Sequence, residues 1–377
     1  MNDRIIGFDL GRAMALTGMV MISFWELSGE SHSPGWLYLF IQQIMGRPAV
    51  MFVMLAGVGV YLLSNSAYLS QDAARINENR RTLMKRALFL FFIGIVNSVV
   101  WPWDILHFYA VYFMIGAYLL TASDRQFWAV ILIVVVVFSV FMVLVDFERG
   151  EDWDSIGPLD LWHIPGVLYH LFFSGLYPVF PWIGFFFIGI WLGRHDLTQR
   201  RFRRKMIIAG IFAVMIAEAA SAIFFQMYPS EWRMRRMVRL EPWMTIDPWE
   251  PMPLFFVSGT GAALIGISFC VFLGEKLKDA KWVMPFVAVG QTTLTLYIGH
   301  TLIGTLVIWA MDFMDMETEL FAIWGTLLYL MGALMFCVFW NKRYKRGPLE
   351  LVMRQFLALP GRLTVTGTPP VDLTKST

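Results

Sequence analysis

Long apolar runs alternate with short polar stretches along the whole chain, and the runs are too long for strands and long enough for helices that cross a bilayer. A spanning helix needs about 20 mostly apolar residues. Ten segments meet that need, at 8–26, 48–64, 86–102, 104–122, 126–146, 177–193, 206–227, 252–273, 284–311 and 320–341. Two further apolar pieces, 36–45 and 164–175, are too short to span and read as interfacial or re-entrant helices. The pattern therefore predicts an all-α integral membrane protein of about ten transmembrane helices. Residues 1–359 form a single polytopic membrane domain, and 360–377 form a polar, Thr-rich, disordered cytoplasmic tail. No repeat or low-complexity tract interrupts the pattern.

Composition narrows the class further. Of the 377 residues 58% are hydrophobic and only 15% charged, and 33 Phe, 24 Met and 16 Trp exceed what the interior of a soluble fold of this size could hide. A soluble enzyme, a disordered chain and a fibrous protein are excluded. The two cysteines, Cys270 and Cys337, both sit in apolar runs, so neither a disulfide framework nor a cysteine metal site is expected. The start of the chain superficially resembles a signal peptide. Asp3 and Asp9 lie among its basic residues, however, and no cleavage site of small residues follows, so it reads as a retained first helix.

Charge then sets the sides. With ten spans, 24 of the 30 basic residues fall on the side of the termini, and 18 of the 28 acids, Glu218 included, fall on the other. The positive-inside rule places both termini of this multi-pass membrane protein in the cytoplasm. The net charge of +2 averages two opposite faces and gives no indication of a nucleic-acid partner.

Ionisable groups inside a bilayer cost about 2.5–3.5 kcal/mol at mid-helix on insertion scales, so they are where function is sought first. Asp9 and Arg12 share a face of the first helix, either as a structural ion pair or with Arg12 holding an anionic group such as a phosphate. Asp104 and His107 share a face directly after Trp101-Pro102-Trp103; Asp104 serves as a helix N-cap, or the two form a general-base pair. Thr293, Tyr297 and His300 make a polar stripe on an apolar helix, for inter-helix hydrogen bonds or for a ligand, and counting from residue 284 places His300 in the outer half. His32 lies in the first outer loop, a loop histidine that is either solvated or functional. His163 and His170 map to the same side, while His195 is cytoplasmic. No metal-ligand spacing, nucleophile elbow or phosphate-binding glycine loop occurs, so no metal is expected.

Four stretches, DLGRAMALTG, WPWDILHFYAVYFMIGAYLL, VGQTTLTLYIGHTLI and RYKRGPLELVMRQF, resemble the YeiB-like family of bacterial membrane proteins, which carry a domain of unknown function. Their order and spacing fit along most of the chain. YPVFPWIGFFFIGIWLGR and AVMFVMLAGVGVYLLS are similar to the heparan-α-glucosaminide N-acetyltransferase-like family, a relative in the transmembrane acyltransferase superfamily. The resemblance implies acyl transfer from a cytoplasmic donor, acetyl-CoA or another acyl-CoA, to a sugar hydroxyl or amine across the membrane. It also implies a catalytic role for His32, which matches the outer-loop histidine, and matches Arg12 to the arginine of the first-helix motif. Where related families carry His or Asn eleven residues after that arginine, this chain has Ser23, and the late signature has Leu351, Val352 and Met353 where tryptophans are usual.

The leading expectation is thus a transmembrane acyltransferase acting on an extracytoplasmic glycan or lipid-linked acceptor. His32, or His107 assisted by Asp104, is the base; Tyr297 and His300 orient the acceptor or donate to the oxyanion; Arg12, with Asp9 beside it, holds the donor phosphates. A transporter or channel for a small polar solute, lined by the same groups, is the rival, and a non-catalytic envelope-assembly partner is a third. The bilayer is the one obligatory partner; this reading admits a homodimer.

Overall fold

The computed structural model describes residues 5–28, 35–70, 72–144, 167–168, 170–174, 176–227, 241–249, 251–314, 320–344 and 346–359. The described residues are helical and contain no strand. The helices are α1 (Ile6–Ser28), α2 (Gly35–Ile44), α3 (Arg47–Ser70), α4 (Ala73–Val100), α5 (Leu106–Tyr118), α6 (Asp124–Leu144), α7 (Val179–Gly193), α8 (Arg200–Met227), α9 (Pro253–Lys276), α10 (Met284–Gln291), α11 (Thr293–Met314), α12 (Phe321–Asn341) and α13 (Pro348–Ala358). The tail at 360–377 lies outside the described residues, and so do 164–166, 169 and 175 of the short segment at 164–175, in which a π-helical turn, His170–Ser174, is described.

Every one of the ten predicted segments carries a helix, but the helices are not alike. Seven are long and apolar enough to cross a membrane, and an eighth span results if α10 and α11 are taken together. The remaining two are short: α5 has 13 residues and α7 has 15. At 1.5 Å per residue they reach only about 20 Å, less than the roughly 30 Å hydrocarbon core. Both are buried among other helices, which suits elements that meet little lipid.

The continuous helix expected at 284–311 is corrected. It breaks at Thr292, and the two pieces meet at 74°. Counting rise from residue 284 therefore misjudges the height of His300, which is only two turns beyond the break. Arg47 opens α3 and is tied to Glu218 of α8 and, at 3.0 Å, to Ser258 of α9.

α1 is the central post and packs against α3, α9, α10, α11 and α12. Helices in lipid associate largely by van der Waals contact, so small residues that let backbones approach set the strongest pairs. A Cβ on Gly57 of α3 would lie 2.1 Å from the Phe186 carbonyl, and one on Gly189 of α7 would lie 2.0 Å from the Met54 carbonyl. A Cβ on Gly290, at the end of α10, would lie 1.8 Å from the Asp9 carbonyl. The broken helix is thereby pressed against α1 at the level of the Asp9–Arg12 pair.

These contacts predict unequal costs for the same change. Gly189→Ala puts a methyl against backbone that has no rotamer to yield, so it should lower the thermal midpoint of purified protein by the equivalent of about 1–3 kcal/mol or more. Gly332→Ala in α12, where nothing lies within 4 Å of the new Cβ, should leave the midpoint unchanged or raise it. Equal shifts in the two variants would contradict the packing described.

Candidate functional site

One turn-repeating face of α1, formed by Met19, Ile22, Ser23 and Glu26, forms a wall of a cavity of about 70 Å³ at the end of the protein where α4 gives way to α5. The facing walls are aromatic. Trp101 and Trp103 meet edge to face at 5.2 Å, Trp182 and Tyr177 come from the start of α7 and the segment before it, and Trp249 comes from the segment before α9. Tyr297 and His300 of α11 complete the lining. Ser23, eleven residues after Arg12 on α1, thus faces the cavity itself.

His300 is 1% exposed, and its Nδ1 is 2.5 Å from the Tyr297 carbonyl. A carbonyl only accepts, so Nδ1 carries the proton and Nε2 keeps its lone pair. Among the described residues Nε2 has no hydrogen-bond partner, while the ring is held at its edges by Trp101, Tyr297 and Tyr329. The Tyr297 hydroxyl accepts the Ile105 N–H at 3.2 Å, which leaves its own proton available. The Trp182 indole N–H is buried with no partner among the described residues. One acceptor and two donors therefore meet a largely aromatic space that Ser23 and Glu26 also line, an arrangement suited to binding a polar group and moving its proton.

The Asp104–His107 pair forms as expected, at 3.1 Å, but it stands behind the cavity and is not part of its lining. Asp104 is fully buried and accepts from Asn97 Nδ2 at 2.8 Å and from the Leu106 and His107 N–H groups at 2.8 and 3.3 Å. Asp104 thus takes two N–H groups at the start of α5, whose N-cap is Ile105, and pairs with the imidazole as well. Asn97 in turn accepts from the Thr301 hydroxyl at 2.9 Å, so this hub ties α4, α5 and α11 together. His107 stacks at 6.0 Å on His170.

At the other end of α1, Arg12 donates to Asp9 at 3.1 Å, and Gln291 donates to the second Asp9 oxygen at 3.2 Å. Arg86 of α4 feels the positive charges of Arg12 and Arg346. Its Nε is buried with no partner among the described residues, and so is the Tyr109 hydroxyl, which lies in the field of Arg12. Two unpartnered buried donors beside an arginine mark a place prepared for an anion.

His32 and His163 lie outside the described residues. His195 stacks on Phe202 at 4.8 Å, remote in sequence and structure from the cavity lining. The structure brings Tyr297 and His300 together at the cavity, Asp104 and His107 one layer behind it, and Asp9 and Arg12 at the far end of α1. Sequence reasoning missed Glu26, the four tryptophans, Arg86 and Tyr109. The 3.6-residue repeat that puts Ser23 and Glu26 on one face was a usable signal; the tryptophans come from three separated segments and carried none.

Two family models match the chain. Residues 4–229, more than half of it, match the model described as heparan-alpha-glucosaminide N-acetyltransferase, catalytic. Residues 189–360 match the model described as protein of unknown function (DUF418). No curated protein matches the chain.

The segment that carries Trp249 to the cavity supplies a pH test. Asp247 accepts the Trp249 N–H at 2.9 Å, a local turn that aims the indole. Burial pushes the Asp247 carboxyl above the usual carboxylate range, and the Trp249 N–H only partly offsets it. A group whose folded pKa is raised holds its proton more tightly when folded, so its contribution is fully present below the ordinary value of about 3.9 and lost as pH rises through the folded value. Asp247→Asn keeps the acceptor oxygen and removes the titration. It should raise the thermal midpoint at neutral pH and flatten the decline between acid and neutral pH; a steeper decline in the variant would reverse the assigned sign.

Proposed function

Because the chain belongs to the heparan-alpha-glucosaminide N-acetyltransferase catalytic family, we propose that it is a membrane acyltransferase that passes an acetyl or related acyl group from cytoplasmic acyl-CoA to an extracytoplasmic glycan or lipid-linked acceptor. The observation that supports this most directly is His300, a neutral imidazole with its Nε2 lone pair on the wall of an aromatic cavity. In this reading ten spans cross a bacterial plasma membrane with both termini cytoplasmic. The basic asymmetry of the loops supports that topology, as does the grouping of Arg12, Arg86 and Arg346 at one end.

His300 Nε2 takes the proton from the acceptor hydroxyl or amine as its oxygen or nitrogen attacks the thioester carbonyl. The Tyr297 hydroxyl and the Trp182 N–H donate toward the oxyanion that forms. Collapse breaks the C–S bond, and the proton on Nε2 passes to the departing thiolate. His107 with Asp104 sets the turn that carries Trp101 and Trp103, and His32, by its family position, is the alternative base. Arg12, held by Asp9, and Arg86 and Tyr109 take the donor phosphates. Arg12 and Ser23 are eleven residues apart on α1, about 16 Å, which an extended thioester arm bridges. A small apolar cavity of about 10 Å³, lined by Leu16, Thr17, Val20 and Val289, lies at the intermediate level.

The broken α10–α11 helix also suits a transporter, and the two are separated by donor binding. Acetyl-CoA should raise the thermal midpoint of detergent-solubilised protein by mass action, and Arg12→Gln, Arg86→Gln and Tyr109→Phe should each weaken that shift. Solute uptake with no acetyl-CoA shift in the wild type would favour transport.

Turnover tests the chemistry. His300→Ala should abolish most acyl transfer while leaving the acetyl-CoA shift in place, and the wild-type rate should fall as pH drops and the imidazole is protonated. His107→Ala and Asp104→Asn should cost less and be non-additive, as expected of one unit acting through the Trp101 turn. A dead His32→Ala beside an active His300→Ala would move the base to the outer loop.

A further inference from the structure

The break at Thr292 frees the first backbone N–H groups of α11, and the partner that takes them comes from the other end of the sequence. Glu350, in the first turn of α13, accepts the Leu294 N–H at 2.8 Å and the Thr295 N–H at 3.2 Å with one carboxylate oxygen. Its other oxygen accepts the Thr295 hydroxyl at 2.6 Å, and that hydroxyl accepts the Leu349 N–H at 3.0 Å. The result is a reciprocal cap between two helices, with a negative charge at the positive end of α11. Gly347 makes room for it: a Cβ there would lie 2.2 Å from the Glu350 carboxylate and 2.4 Å from Thr292 Cγ2.

α13 is held at its far end too. Lys85 of α4 donates to the carbonyls of Leu357 and Leu359 at 2.9 and 2.5 Å, and Phe89 packs on Phe356 at 5.8 Å. The short helix therefore straps the inner end of α11 to α4. Further along, Asn97 near the end of α4 accepts from Thr301 in the third turn of α11. Tyr297 and His300 lie between these fastenings, on the first two turns that the Glu350 cap starts.

We propose that Glu350 is a positioning residue for the cavity: its carboxylate fixes the start of α11, and through α11 the places of Tyr297 and His300. That these two residues form the reacting site rests on the function proposed above; the positioning itself does not. Glu350 does not line the cavity, so its effect is mechanical, and on the scale of a 1 Å misplacement it is worth on the order of a hundredfold in turnover.

The test uses the full chain with spin labels at Leu88 of α4 and Leu302 of α11, both exposed on the outside of the bundle. Glu350→Ala should shift and broaden the distance distribution and cut turnover with little change in KM. Glu350→Gln, which keeps an oxygen for the two N–H groups, should restore the wild-type distribution and most turnover. An unchanged distribution in Glu350→Ala overturns the proposal. Should Glu350→Ala fail to yield monodisperse protein, Thr295→Val carries the test, because it deletes only the hydroxyl: a smaller shift in the same direction supports the proposal, and no shift overturns it. A shifted α11 with undiminished acyl transfer would leave Glu350 in its positioning role and remove Tyr297 and His300 from the reaction.

Discussion

A helix interrupted within an apolar slab must find partners for the backbone groups it frees, because no water is at hand to take them. In this chain that requirement falls at Thr292, and much of the architecture answers it. The Thr292 hydroxyl returns to the Ala288 carbonyl at 2.8 Å, Glu350 takes the N–H groups of the next turn, and Gly290 lets α10 lie directly on the Asp9 backbone. Once the break is satisfied in this way, α11 leaves it at a fixed angle, and the heights of Tyr297 and His300 are set. The same contact brings Gln291 to Asp9, which holds Arg12. One local constraint thus positions both a polar cavity and a cationic end on opposite stretches of α1.

The two buried histidines show how environment divides labour between like side chains. His107 spends Nδ1 on a carboxylate whose oxygens are already occupied by an amide and two backbone N–H groups, so Asp104 is a structural hub with both oxygens hydrogen-bonded. Removing any member would strand the others, and the hub's value lies in fixing the Trp101–Trp103 turn and joining α4 to α11. His300 takes its tautomer from a backbone carbonyl instead, which adds no charge, and it meets the cavity with an unprotonated nitrogen. His300 is the one of the two that reaches the cavity, although the sequence makes the Asp–His pair the more conspicuous.

Much of this was legible before any coordinates. Hydrophobic period and length located a helix in all ten segments, and an i, i+3 spacing paired Asp9 with Arg12 and Asp104 with His107. What was illegible had two physical causes. The break at Thr292 is written in neither glycine nor proline; it depends on Glu350, more than fifty residues away, and a local reading of an apolar run cannot see a partner supplied from another helix. The cavity is likewise a long-range object. Its aromatic walls come from the turn after α4, the start of α7 and the segment before α9, and each tryptophan alone looks like any residue at a membrane interface. Arg86 read as one of five basic residues on a cytoplasmic flank, and only its buried, unpartnered Nε distinguishes it.

The separation of the two polar sites along α1 has a dielectric logic within the proposed reaction. Phosphates are multiply charged, and carrying them toward the outer cavity would require desolvating each charge at a cost of several kcal/mol, so arginines at the inner end retain them. A thioester arm is neutral and carries no such cost along the apolar stretch of α1 between Arg12 and Ser23. What reaches Ser23 and His300 is then the uncharged reacting end alone. A base at that end must itself be neutral before reaction, because a protonated imidazole has no lone pair with which to take the acceptor's proton. The backbone-set tautomer of His300 meets that condition without a carboxylate partner. That is why the isolated imidazole at the cavity, rather than the carboxylate-paired one behind it, fits the chemistry proposed for this family member.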